Sequence, residues 1–81
     1  MELKLGMIVK SMAGHDAGRF YVVVKILENR AYIADGRLRQ IEKPKAKNPV
    51  HLSKSNKIID LSEFKTNKAL RELLHSYNNN L

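Results

Sequence analysis

The residues of this sequence best suited to chemistry are cations. Between positions 37 and 57, Arg37, Arg39, Lys43, Lys45, Lys47, Lys54 and Lys57 stand against the lone carboxylate Glu42. The whole chain has 15 Lys and Arg against 8 Asp and Glu, a net charge of +7, and the flanking segments 1–36 and 58–81 are close to balanced. A solvated surface mixes signs, whereas a concentrated positive run suits phosphates or another polyanion. Arg37 and Arg39 follow Asp35-Gly36 at alternate positions and are expected to leave one face of a strand. Lys43, Lys45 and Lys47 also alternate, and in an extended segment they form a ladder about 6 to 7 Å apart, near the spacing of successive phosphates. Lys10, Ser11 and Arg19 flank the loop Ala13-Gly14-His15-Asp16-Ala17-Gly18, whose backbone N–H groups are suited to an anionic oxygen. Asn48 and His51 offer an amide and an imidazole edge for base or 2′-hydroxyl contacts, and Lys54 extends the cationic set. Arg37, Arg39, Lys45 and Lys47 are expected to support binding without supporting the fold.

Other chemistries find little to work with. There is no cysteine, which removes thiolate metal sites, thiol nucleophiles and disulfides. His15, His51 and His75 are scattered, so no metal site is expected. Ser11, His15 and Asp16 have the residue types of a catalytic triad, but residues this close in one loop rarely reach the base-orienting geometry a triad requires. No glycine-rich phosphate loop of the Walker kind is present. The sequence therefore implies a protein without catalysis and without a cofactor. Its first residues, Met1-Glu2-Leu3-Lys4-Leu5-Gly6, lack the apolar run of a secretory signal, and no stretch approaches about 18 consecutive apolar residues. A cytoplasmic setting with no membrane partner is the expectation.

These side chains must be held by a small scaffold. At 81 residues the chain has room for one small domain with a thin core. Met7 to Met12 reads as a short strand, and Arg19 to Leu27, dense in β-branched and aromatic residues, as the strongest one. On that second strand Phe20, Val22, Val24 and Ile26 form an apolar face expected to be core, opposite Tyr21, Val23, Lys25 and Leu27. Tyr21 and Tyr32 are suited to stacking on bases or to packing against a helix. Glu28-Asn29 forms a short turn into a strand over Arg30 to Ala34. Asp35-Gly36 reads as a type I′ hairpin turn, with Leu38 to Glu42 returning as the partner strand. Pro44 and Pro49 mark a loop or sheet edge, and Val50 to Ser53 a final strand. Residues 57–64 read as an irregular or briefly helical strap. Ala69, Leu70, Leu73, Leu74 and Tyr77 then recur at helical spacing, with Thr66 or Asn67 as the N-cap and Asn78-Asn79-Asn80 ending the pattern. The result is a mainly β fold: a small five-stranded, partly open barrel over residues 1–57 with a C-terminal strap and α-helix over 58–81.

The first third resembles the KOW motif of ribosomal proteins and transcription elongation factors, through Gly6-Met7-Ile8-Val9, Ser11, Ala13-Gly14, Asp16, Gly18 and Tyr21-Val22-Val23-Val24. Ala34-Asp35-Gly36-Arg37, Glu42-Lys43-Pro44-Lys45 and Lys47-Asn48-Pro49-Val50-His51-Leu52 are similar to small bacterial KOW-domain RNA-binding proteins. Those proteins are relatives of the eukaryotic and archaeal large-subunit ribosomal protein fourteen-e. The resemblance covers about residues 6 to 53 and departs from the pattern at His15 and Ala17, where such loops commonly have basic residues. It implies an SH3-like barrel, binding to ribosomal RNA on the large subunit beside neighbouring ribosomal proteins, and a monomer off the ribosome. The alternative is a protein-interaction KOW module of the transcription elongation type, whose sign is an exposed apolar patch around Ile41, Leu52 or the tail helix.

Overall fold

A computed structural model describes residues 2–79; Met1, Asn80 and Leu81 lie outside the described residues, including the last position of the expected Asn78-Asn79-Asn80 stop. Among the described residues the chain forms five strands, β1 (Met7–Ser11), β2 (Phe20–Leu27), β3 (Arg30–Ala34), β4 (Lys45–Lys47) and β5 (Leu52–Ile58), and one helix, α1 (Asn67–Asn78). Short 3-10 turns occupy Gly14–Asp16, Pro49–His51 and Leu61–Glu63. The strands make one antiparallel sheet in the order β4-β3-β2-β1-β5. The sheet curls without closing, leaving β4 and β5 as its edges, and the whole is a partly open, SH3-like barrel with a C-terminal helix.

β2 is buried on both faces over its first half. Tyr21 and Val23 point inside the curled sheet with Met7, Val9, Ala31, Ile33 and Leu52. Val22 points the other way, with Ile8 and Ala34, onto Leu70 and Leu74 of α1. The expected core face is thus only one of two: Phe20 and Val24 are half-buried on the helix side, while Ile26 is exposed beyond the helix. The reason is curvature, which gives a strand two apolar contacts when a helix covers the sheet's outer surface. The register shift between Val23 and Lys25 marks where the strand bends. Thr66 caps α1 by accepting a hydrogen bond from the Ala69 N–H at 3.1 Å.

Two local readings change. Glu28 and Asn29 both have positive φ, 50° and 64°, so the type I′ geometry sits there, joining paired residues Leu27 and Arg30. Asp35-Gly36 opens a bend instead, and no strand follows over Leu38 to Glu42. Asp35 is buried, and its Oδ1 accepts the N–H groups of Arg37 and Arg39, both at 2.9 Å, holding the chain in a tight loop. The Asp35 and Gly36 N–H groups both donate to the Arg39 carbonyl. Gly36, at φ 77°, lies so close to α1 that a Cβ there would fall 2.1 Å from the Asn67 carbonyl oxygen. The fourth strand is therefore Lys45–Lys47, displaced along the chain from the expected one. The last strand likewise starts at Leu52, after a 3-10 turn over Pro49–His51, and runs to Ile58 through the start of the expected strap.

Candidate nucleic-acid interface

Two buried carboxylates sort the cations into internal and external sets. Asp16 Oδ1 accepts from the Tyr21 hydroxyl at 3.3 Å and from Arg39 Nη2 at 3.4 Å, and Asp16 Oδ2 lies 3.8 Å from Lys47 Nζ. Lys47 Nζ also donates to the Ala13 carbonyl at 2.7 Å. Asp35 Oδ2 is 3.6 Å from Arg19 Nη2. Arg19, Arg39 and Lys47 are thus held by the molecule's own acids, and loss of any of them would leave a buried negative charge undercompensated. Burial, together with the charges of Asp16 and Asp35 and the hydrogen bond to Asp16, pushes the Tyr21 hydroxyl up to about 12.

The register explains why Lys47 turns inward. Lys45 pairs with Ile33 and Lys47 with Ala31, two residues of the barrel interior, while Ala46 pairs with Tyr32 on the outer face. Lys45 and Lys47 share a face as expected, but that face looks into the barrel, where Lys47 is buried and Lys45 half-buried. Arg37 and Arg39 part company because they sit in the Asp35 loop and not on a strand. Arg37 is exposed and Arg39 reaches Asp16.

Arg37, Lys43, Lys45, Lys54 and Lys57 form no ion pair among the described residues. Lys43 and Lys54 are exposed, as is His51. Lys10 is half-buried, with its ammonium 5.7 Å from the centre of the Phe20 ring. Asn48 is exposed, but its Oδ1 accepts from the Val50 N–H at 3.1 Å, capping the 3-10 turn that begins at Pro49. Ser11 is fully buried, and its hydroxyl donates to the Ala13 carbonyl. At the end of the glycine loop the N–H groups of Ala17, Gly18 and Arg19 are taken up internally, donating to the carbonyls of Gly14, Ser11 and Asp16. Ser11, His15 and Asp16 form no relay, since both Asp16 oxygens face Tyr21, Arg39 and Lys47. Among the described residues no group of three or more His, Asp or Glu is placed to hold a metal ion, and no helix is long and apolar enough to cross a membrane.

Two surface grooves of about 360 Å³ each flank the Asp35 loop and the chain that follows it. One is lined by Val24, Lys25, Tyr32, Ile41, Glu42 and Pro44, with the Lys25 ammonium 5.5 Å from the centre of the Tyr32 ring. Tyr32 is partly exposed there. Tyr21, by contrast, is inside the barrel, out of reach of bases and of α1 alike. The other groove is lined by Arg37, Arg71, Glu72, His75 and Asn79. Arg71 had no place among the expected site residues. The i, i+4, i+8 spacing of Arg71, His75 and Asn79 is visible in the sequence, but the loop that faces them is not, because Asp35-Gly36 reads locally as a hairpin turn.

Comparison of the chain with family models and with curated proteins gives no match. The KOW resemblance therefore stands on the residues quoted for it.

Proposed function

We propose that this protein is a non-catalytic RNA-binding module of the KOW type that docks on structured ribosomal RNA in the cytoplasm. The observation that supports this reading is the set of cations without an internal partner. Arg37, Lys43, Lys45, Lys54 and Lys57 belong to a stretch whose one carboxylate, Glu42, accepts from Asn67 Nδ2 at 2.9 and 3.0 Å. Phosphate contacts of this sort supply affinity and position, and base-edge contacts supply sequence preference. Tyr32 in its groove and His51 on the adjoining turn are the groups suited to the latter. At the places where an exposed apolar patch would favour the protein-interaction alternative, Leu52 is buried and Ile41, Leu73 and Tyr77 pack onto the helix-side core, while Leu38 and Val50 nearby in the chain are exposed.

The test is filter binding of fragmented ribosomal RNA across a salt series. With about five phosphates neutralised, log K is expected to fall against log salt with a slope of about −3.5 to −4.5. Changing the exposed Arg37, Lys43, Lys54 and Lys57 together to Gln is expected to abolish binding with the melting temperature preserved. A flat salt response in the unaltered protein would overturn the reading.

A further inference from the structure

The groove between the Asp35 loop and α1 is built from two directions. Arg71 and His75 share one stripe of the helix, which Asn79 continues at the C-cap, beside the buried Leu70 and Leu74 that fix the helix on the sheet. The loop comes to that stripe by backbone contact. Gly36 has no side chain to hold it off, and a Cβ at this position would lie 3.0 Å from the Arg71 backbone nitrogen. Arg37 follows immediately, with its own N–H fixed to Asp35 Oδ1, and lines the groove opposite the helix.

The chemistry of the lining is that of a donor site. Neither Arg37 nor Arg71 has a carboxylate partner among the described residues, although both line the same cleft. Two guanidinium groups converging without an anion repel one another, while each offers a planar fork that matches a phosphate. His75 and Asn79 complete the lining and are tied to each other, the Asn79 amide donating from Nδ2 to the His75 ring at 2.7 Å from Nδ1. A narrower recess shared by Arg37, Arg71 and His75 continues inward to Arg19, whose Nε is buried without a hydrogen-bond partner. Three features oppose an anion: Glu72 on the rim, the negative end of the α1 dipole at Asn79, and the buried Asp35 carboxylate in the inner recess, whose Oδ2 is countered there by Arg19 Nη2 at 3.6 Å. The dipole falls off within the last turn, and Arg71 lies further back along the helix.

We propose that this groove is a phosphate-binding subsite, with Arg37 and Arg71 clamping the phosphate from loop and helix. Given the RNA-binding reading above, on which this step rests, its occupant is a backbone phosphate of the bound RNA. The interface then extends past the KOW-like segment onto the C-terminal helix, and that helix takes part in recognition as well as covering the core.

Two measurements test this. In the first, inorganic phosphate is titrated into the protein at low salt while the Nε–Hε signals of Arg37 and Arg71 and the Asn79 side-chain amide are followed by NMR. Saturable shifts at these groups, absent with chloride and lost in Arg71→Gln, are expected; no shift, or the same shifts in the variant, would overturn the subsite. In the second, Arg71→Gln is compared with Lys65→Gln, which removes the same charge outside the groove, in binding to fragmented ribosomal RNA. Arg71→Gln is expected to weaken binding on the order of tenfold and to reduce the salt slope by about one, with the melting temperature unchanged. Equal effects of the two variants would overturn RNA as the source of the phosphate, even where inorganic phosphate binds. Absence of RNA binding by the unaltered protein would instead count against the functional reading itself, leaving the phosphate titration to decide the subsite.

Discussion

Lys47 Nζ lies 3.8 Å from Asp16 Oδ2 with both side chains buried, and it donates to the Ala13 carbonyl at 2.7 Å. A lysine from an edge strand thereby ties β4 to the loop after β1. Its role is in the fold. Lys47→Ala is expected to cost about 2–4 kcal/mol in urea denaturation, because it leaves the buried Asp16 carboxylate with Arg39 as its one remaining cation. Lys43→Ala, on an exposed side chain, should stay within about 0.5 kcal/mol of the unaltered protein. It follows that changing Arg37, Arg39, Lys45 and Lys47 together tests stability and binding at once, since Arg39 and Lys47 both serve Asp16.

Tyr21 makes the fold sensitive to alkali. Its hydroxyl is pushed up from 10.0 to about 12 in the folded chain, so the unfolded chain loses this proton first as pH rises. Its contribution to stability is fully present below pH 10 and is lost progressively as pH rises through about 12. Tyr21→Phe is expected to cost about 0.5–1.5 kcal/mol at neutral pH through the lost bond to Asp16. It should also flatten the fall in stability across that alkaline window, read from thermal melts at stepped pH.

Gly36 and Gly18 separate close approach from backbone strain. Both have positive φ, 77° and 89°, but a Cβ at Gly18 meets nothing within 4 Å, whereas one at Gly36 strikes the Asn67 carbonyl. Gly18→Ala should therefore cost about 1–2 kcal/mol, the left-handed penalty alone. Gly36→Ala should cost more and weaken the seating of α1, visible as a larger drop in melting temperature with loss of helical circular dichroism.

Leu70 and Leu74, fully buried against Ile8, Val22 and Ala34, make the helix part of the structural unit. Leu70→Ala is expected to cost about 2–5 kcal/mol in chemical denaturation. A smaller loss would mean that the sheet stands without its cover.

What the sequence made legible follows the reach of local rules. β3 has its expected bounds, β1, β2 and α1 match within a few residues, and the Glu28-Asn29 turn stands where expected, because periodicity and turn chemistry act over a few neighbours. Asp35-Gly36 misleads for the same reason: its residue types suit a hairpin, but the buried Asp35 carboxylate is claimed by N–H groups two and four residues on. With that strand goes the shared face of Arg37 and Arg39. The inward turn of Lys47 was equally hidden, since it depends on the pairing of β4 with Ala31 and on an acid, Asp16, far away in the chain. Charge density can be counted in a sequence; which cations are already neutralised requires the tertiary contacts.

β2 separates two small apolar clusters, with Tyr21 and Val23 in one and Val22 in the other. Neither cluster can open without baring one side of the same strand, so fraying at the helix and loosening of the barrel are coupled through it. Amide hydrogen exchange should accordingly be slowest at residues 22 and 23 and proceed there only by global opening. The thin central ribbon, not either cluster, sets the lifetime of the native state.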